Sequence, residues 1–152
     1  MSAVSKKDEP LPGPLDGIRV LDFSMFLAGP YCTRLMADLG AEIIKVEPPG
    51  GDFLRNTPPY RNGQSAYFAH MNCGKKSIVL DLKSQKGRQA ILELIHTVDV
   101  VLENFRPGVM ARLGLDYTTL SALRPELVYC AVSGYGQTGP GSQRPAFAPI
   151  IH

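Results

Sequence analysis

The stretch with the most chemistry in it is Glu103-Asn104-Phe105-Arg106-Pro107-Gly108. An amide, an aromatic ring and a guanidinium follow directly on the apolar run Val100-Val101-Leu102, and Pro-Gly fixes the turn behind them. Asn can hydrogen-bond a ligand amide, Phe can stack on a flat base, and Arg can pair with phosphate. Arg112, four residues past Gly108, offers a second cation. The competing reading makes Arg106 and Arg112 ordinary solvated charges.

A second candidate loop is Ser24-Met25-Phe26-Leu27-Ala28-Gly29-Pro30. Its Met25, Phe26 and Leu27 either wall an adenine or pantetheine pocket or cap the core. The loop has one glycine where a G-x-G-x-x-G turn needs three, which disfavours a nicotinamide-dependent domain. Glu47 lies near the spacing of a ribose-binding acid, but without those glycines it reads as a charged strand-end residue on the surface. Lys75, Lys76, Lys83 and Lys86 either steer a polyanionic ligand or solubilise the surface. Lys83 is the best placed of the four, because it follows a strand at its carboxyl end.

Residues for covalent or acid–base catalysis are poorly represented, and no catalytic residue is assigned in this chain. His70, His96 and His152 are scattered, and no G-x-S-x-G elbow is present. Ser133 is flanked by glycine with nothing to mark it as a nucleophile. Asp22, Asp81, Asp99 and Asp116 mostly occupy strand or turn edges, with no partner evident. The three cysteines, Cys32, Cys73 and Cys130, are odd in number and lack C-x-x-C spacing. This argues against a disulfide framework or a metal site, and for buried or inert thiols in a reducing, cytoplasmic compartment.

The elements that must position these loops alternate strand and helix. Apolar runs predict strands over 18–23, 41–46, 77–82, 99–105 and 127–133. Between them, Pro30 opens a helix with Tyr31, Cys32, Leu35, Met36 and Leu39 on one face, closed near Gly40. Further helices are expected over 65–71, 84–97 and 117–123, and residues 52–64 read as a long loop. Strands without clean alternation, separated by amphipathic helices, imply a doubly wound, mostly parallel Rossmann-like α/β sheet. Ligands then bind outside the carboxyl ends of the strands, where both candidate loops fall.

The chain's 152 residues suffice for one sizeable core. A net charge of +2 and dispersed basic residues argue against nucleic acid. No apolar run approaches the roughly 18 residues of a membrane span. Residues 1–13 are expected to be a flexible leader, and 14–152 a domain whose pattern stops at an apolar segment, as in a truncated one.

Six blocks in order resemble the class III (CaiB/BaiF-type) CoA-transferases. They are Pro14-Leu15-Asp16-Gly17-Ile18-Arg19-Val20-Leu21-Asp22-Phe23, Ala28-Gly29-Pro30, Asp38-Leu39-Gly40-Ala41-Glu42-Ile43-Ile44-Lys45-Val46-Glu47, Asn72-Cys73-Gly74-Lys75-Lys76-Ser77-Ile78, Asp99 through Gly108, and Ser133-Gly134-Tyr135-Gly136-Gln137-Thr138-Gly139-Pro140. The resemblance implies the N-terminal part of a large domain in a two-domain fold whose subunits interlock as homodimers. It implies CoA transfer between an acyl-CoA thioester and a free carboxylic acid through an aspartyl-CoA intermediate, with no permanently bound cofactor. Carried over by position, CoA contacts fall on Met25, Leu27, Leu82, Lys83, Asn104, Phe105 and Arg112, and the nucleophilic aspartate falls beyond residue 152. Pro48 stands where an Arg or Lys is common, which removes a phosphate or adenine contact. Phe147 stands where racemase members carry a histidine, which argues against acyl-CoA racemization. The remaining reading is a non-catalytic CoA-binding fragment.

Overall fold

The structure, a computed structural model, describes residues 12–146. Five strands, β1 (Arg19–Asp22), β2 (Glu42–Glu47), β5 (Lys76–Val79), β6 (Val100–Glu103) and β7 (Val128–Ala131), form one sheet in the order β5-β2-β1-β6-β7. Every pairing is parallel. The chain runs outward from β1 through β2 to β5, then crosses back over β1 to β6 and β7. This reversal puts a crevice at the carboxyl ends of β1 and β6, the topological switch point of a doubly wound sheet.

Alternation along β1 sends successive side chains to opposite faces. Leu21 and Phe23 join Val46, Val101, Ile91, Ile95, Met110, Leu115 and Leu120 in the larger core cluster, under α3 (Gln85–Ile95), α4 (Val109–Leu113) and α5 (Tyr117–Leu123). Val20 packs with Ala41 and Ile43 on the other face, against Met36 and Ala37 of α1 (Ala28–Asp38). Burying each of the leucines and isoleucines contributes about 1.5–3 kcal/mol. Three of the helix starts carry a side-chain cap. Ser84, Ser65 and Asp116 accept the backbone N–H of Gly87, Phe68 and Thr119 at the mouths of α3, α2 (Ala66–Asn72) and α5.

Three expectations need correction. Residues 52–64 are not a plain loop: a 3-10 helix (Phe53–Asn56) is followed by β3 (Tyr60–Arg61), which pairs with β4 (Gln64–Ser65) in a small antiparallel hairpin. The third sheet strand ends at Val79, so Leu82 and Lys83 lie in the turn before α3. Finally, α1 is rotated from its expected orientation. Gly29, Pro30 and Thr33 are its buried residues, while Tyr31, Leu35 and Leu39 are each nearly half exposed. Close approach explains the rotation, since a Cβ on Gly29 would lie 2.3 Å from the Ser24 Cβ. The same turn of the helix delivers the Thr33 hydroxyl to buried Asp22.

Candidate functional site

The carboxyl edge of the sheet is built on buried polar pairs. Asp22, the last residue of β1, is fully buried. One of its oxygens accepts the Ser24 backbone N–H at 2.8 Å and the Ser24 hydroxyl. The other accepts the Thr33 hydroxyl at 2.6 Å and the Lys75 ammonium at 2.9 Å. Lys75 donates as well to the Pro30 carbonyl at 2.9 Å and the Asn72 side chain at 3.0 Å, so all three of its protons have acceptors. Burial pushes the Lys75 pKa down, against the opposing pull of Asp22.

A second pair stands behind the first. Lys45 of β2 donates to the Ser24 carbonyl at 2.8 Å and pairs with Asp52 at 2.8 Å, with both side chains almost wholly buried. Asp52 in turn caps the 3-10 helix by accepting the Leu54 N–H. Glu47, at the end of β2, is buried and holds Arg55 in a two-pronged pair with both distances at 2.6 Å. It also accepts the Asp52 N–H and the Ser77 hydroxyl. Arg55 lies over the Phe68 ring, 3.9 Å from its centroid. The expected surface carboxylate at Glu47, the solvated lysine at 75 and the partnerless Asp22 are therefore all overturned. These groups are the frame of the edge.

Burial alone would raise the Glu47 pKa, but hydrogen bonds from Arg55, Ser77 and the Asp52 backbone outweigh it and hold the group at about 2. Its folded-state pKa is thus below the unfolded value. The stabilisation is complete above that unfolded value and is lost as pH falls through the folded one. Acid titration of wild type against Glu47→Gln should show a difference of about 3 kcal/mol near neutrality that closes between roughly pH 4.5 and 2. A gap independent of pH would contradict this.

The crevice itself is closed by an amide clamp. Asn104, just past β6, accepts the Met25 N–H at 2.8 Å and donates to the Met25 carbonyl at 2.7 Å. Both halves of the Asn104 amide are engaged on the loop after β1, which leaves little of it for a ligand. Glu103 is buried and accepts the Phe105 N–H at 2.7 Å; burial raises its pKa, and that hydrogen bond only partly offsets the effect. Phe105 is half-buried against the main core, while Leu27, Arg106 and Arg112 are exposed. Leu82 also packs on the core from the turn before α3. That turn is held by Arg88, which donates to the Lys83 carbonyl at 2.8 Å. Gly87 permits it, because a Cβ there would meet the Asp81 carbonyl oxygen at 2.0 Å.

Met25, Leu27, Asn104 and Phe105 thus lie in the two segments that follow β1 and β6 and meet at the carboxyl edge of the sheet. Leu82 and Lys83 follow β5, two strands away across the sheet. Beyond β6 a cleft of about 480 Å³ is lined by Glu103, Arg106, Tyr117, Tyr129 and Gln137 among others. Sequence reasoning missed α4, whose five residues run between left-handed Gly108 and Gly114, and the whole frame of ion pairs. The one available signal was polar residues at the ends of apolar strands. Among the described residues no cluster of three or more His, Cys, Asp or Glu is placed to hold a metal. Cys32 and Cys73 are exposed and Cys130 half-buried, all three with free thiols, which corrects the expectation of burial for the first two. No described helix is long and apolar enough to cross a membrane. Phe147 lies outside the described residues.

With this geometry in view, the comparison with known proteins is decisive. The sequence matches the profile of CoA-transferase family III over residues 15–152. The chain belongs to CoA-transferase family III. Among curated family members, it is 49% identical over 140 residues to the acetyl-CoA:oxalate CoA-transferase of Acetobacter aceti, covering 91% of this chain and 36% of that protein. It is 45% identical over 139 residues to the succinyl-CoA:glutarate CoA-transferase of Mus musculus, covering 90% of this chain and 32% of that one. The crystal structure of a CAIB/BAIF family protein from Brucella suis superposes with a TM-score of 0.87 at 41% identity, over 92% of this chain and 38% of the other. This family III chain therefore spans about a third of the length of the curated relatives it matches.

Proposed function

We propose that the chain supplies part of the CoA cleft of an enzyme that transfers CoA from an acyl-CoA thioester to a free carboxylic acid. The observation that supports this most is the family match over residues 15–152, combined with the direct tie between the loops after β1 and β6 at the carboxyl edge of the sheet. In this reading Met25, Leu27 and Phe105 line the pantetheine path, with Asn104 shaping it. Leu82 and Lys83 border it, and Arg112 offers charge for phosphate from the rim. The relatives named above act on acetyl-CoA or succinyl-CoA and on dicarboxylic acids, so a small dicarboxylate is the acceptor class proposed here.

The chemistry in this reading is nucleophilic catalysis by a carboxylate. An aspartate attacks the thioester carbonyl and expels CoA thiolate, leaving a mixed anhydride. The thiolate then attacks the aspartyl carbonyl of that anhydride, releasing the donor acid and forming an aspartyl-CoA thioester. The acceptor carboxylate attacks this thioester in turn, and the returning thiolate completes the new acyl-CoA. Asp22 is unsuited to the role, being fully buried and held by Lys75, Thr33 and Ser24. The nucleophile is placed in the part of the relatives' length that this chain does not span. A cytoplasmic, interlocked homodimer without a permanent cofactor completes the proposal, and the outward apolar residues Tyr31 and Leu35 of α1, with Leu39 just past its end, offer surface for such an assembly.

The expected result is binding without turnover. Incubated with succinyl-CoA and glutarate, the 152-residue chain should yield no glutaryl-CoA by liquid chromatography. The same assay on a polypeptide that continues to the relatives' length should yield it. Turnover by the 152-residue chain alone would place the nucleophile within it and overturn this assignment.

A further inference from the structure

We propose that Cys32 and Cys130 are the two halves of a reversible disulfide that staples α1 to the edge strand β7 when the chain meets a peroxide. All three thiols of the chain are free, and the CoA-cleft reading gives none of them a role. Cys32 is exposed and Cys130 half-buried, so an oxidant can reach the pair.

Two placements bring these cysteines together. The first is sheet register. Cys130 stands opposite Leu102 of β6 in the parallel ladder, so both side chains leave the same face of the sheet. The second is the packing of α1 on that face. Gly29 is buried, and a Cβ there would lie 3.1 Å from the Leu102 Cδ2, so the helix meets the sheet closely at Leu102. Cys32 follows Gly29 by three positions and therefore lies on the same side of the helix, one turn on. The opposite flank of α1 faces β5: Gly74 approaches Ala37, and Lys75 reaches the Pro30 carbonyl. Cys32 is thus left on the flank toward β6 and β7. The neighbourhood also registers at Cys130, whose thiol pKa is pushed up by burial first and then by Cys32 and Glu103. Cys73 ends α2 directly before Gly74, on the far flank, and serves as an internal control.

The chemistry balances with hydrogen peroxide as the oxidant. The Cys32 thiolate takes one oxygen from the peroxide, giving a sulfenic acid and hydroxide, which a proton converts to water. The Cys130 sulfur then attacks the Cys32 sulfur. The S–O bond breaks, and a second water leaves with the Cys130 proton. Two thiols have given up two electrons and the peroxide has accepted them. A dithiol reverses the link by thiol–disulfide exchange.

The test oxidises the wild-type chain with a small excess of peroxide, alkylates the remaining thiols and maps the unreduced tryptic peptides by mass spectrometry. Cys32→Ser, Cys73→Ser and Cys130→Ser are treated in parallel, and the three cysteines fall in different tryptic peptides. Wild type and Cys73→Ser should each lose two titratable thiols and yield the Cys32–Cys130 peptide pair. In Cys130→Ser the Cys32 sulfenic acid has no resolving thiol and should go on to the sulfinic acid. Oxidised Cys73→Ser should melt at a higher temperature than its reduced form, because the link closes a long loop of the unfolded chain, and dithiothreitol should reverse the rise. A link that includes Cys73 or joins two chains overturns the staple. So do three thiols still titratable after oxidation, or a Cys32 that over-oxidises equally with and without Cys130.

Discussion

Replacing Lys75 with methionine should destabilise the chain by about 3–5 kcal/mol, as expected when one partner of a buried ion pair is removed. The side chain is 1% exposed and its ammonium serves three acceptors, one of them the fully buried Asp22. Methionine fills much of the same volume, so the loss reports the unpaired carboxylate and not a cavity. Chemical denaturation measures the effect, and the double variant Asp22→Asn with Lys75→Met should recover part of it, since the two sites share one network. A surface lysine would cost within about 0.5 kcal/mol either way. A loss that small would show that Lys75 is not buried as described.

The second large effect falls on Asn104. Asn104→Ala removes both hydrogen bonds to Met25 and frees the loop that carries Phe26. With about 1 kcal/mol for each bond, the fold should lose about 2 kcal/mol. CoA affinity should fall further than the surface left unchanged around the crevice would suggest, because the loop must be reordered on binding. Asn104→Asp keeps the acceptor for the Met25 N–H and loses the donor, so it should fall between wild type and Asn104→Ala. Amide exchange at Met25 and Phe26 separates this role from direct ligand contact. It should quicken in Asn104→Ala before any ligand is added, whereas a purely ligand-facing Asn104 would leave it unchanged.

The sheet was legible because its strands are short apolar runs between glycine and proline signals, and α3 because Ile91, Leu94, Ile95 and Val98 recur at helical steps. The rotation of α1 was not legible, since its apolar residues have a helical period whichever way they face. What turns the helix is Thr33 reaching Asp22, eleven positions earlier in the chain, and Gly29 meeting Ser24. The frame of the site was hidden for a similar reason. Lys75 finds Asp22 across 53 residues and Asn104 finds Met25 across 79, and no periodicity records such partners. Glu47 was misjudged because the glycine-poor first loop argued only against a nucleotide acid. It carried no information about Arg55, which arrives on a 3-10 helix within a segment read as loop. The family blocks single out the loops after β1 and β6, but not which of their side chains serve the fold.

The most direct test of the account is a residue-resolved CoA titration of the isotopically labelled chain by nuclear magnetic resonance. Amide shifts should cluster at Met25–Leu27 and Asn104–Gly108, on the carboxyl edge of the sheet, with weaker ones at Leu82 and Lys83. The opposite edge carries its own hollow, lined by Asp16, Gly17, Arg19, Gly40 and Asp99, and should stay silent. Shifts centred on that opposite hollow, or none at saturating CoA, would contradict the assignment of the switch-point crevice as a CoA site.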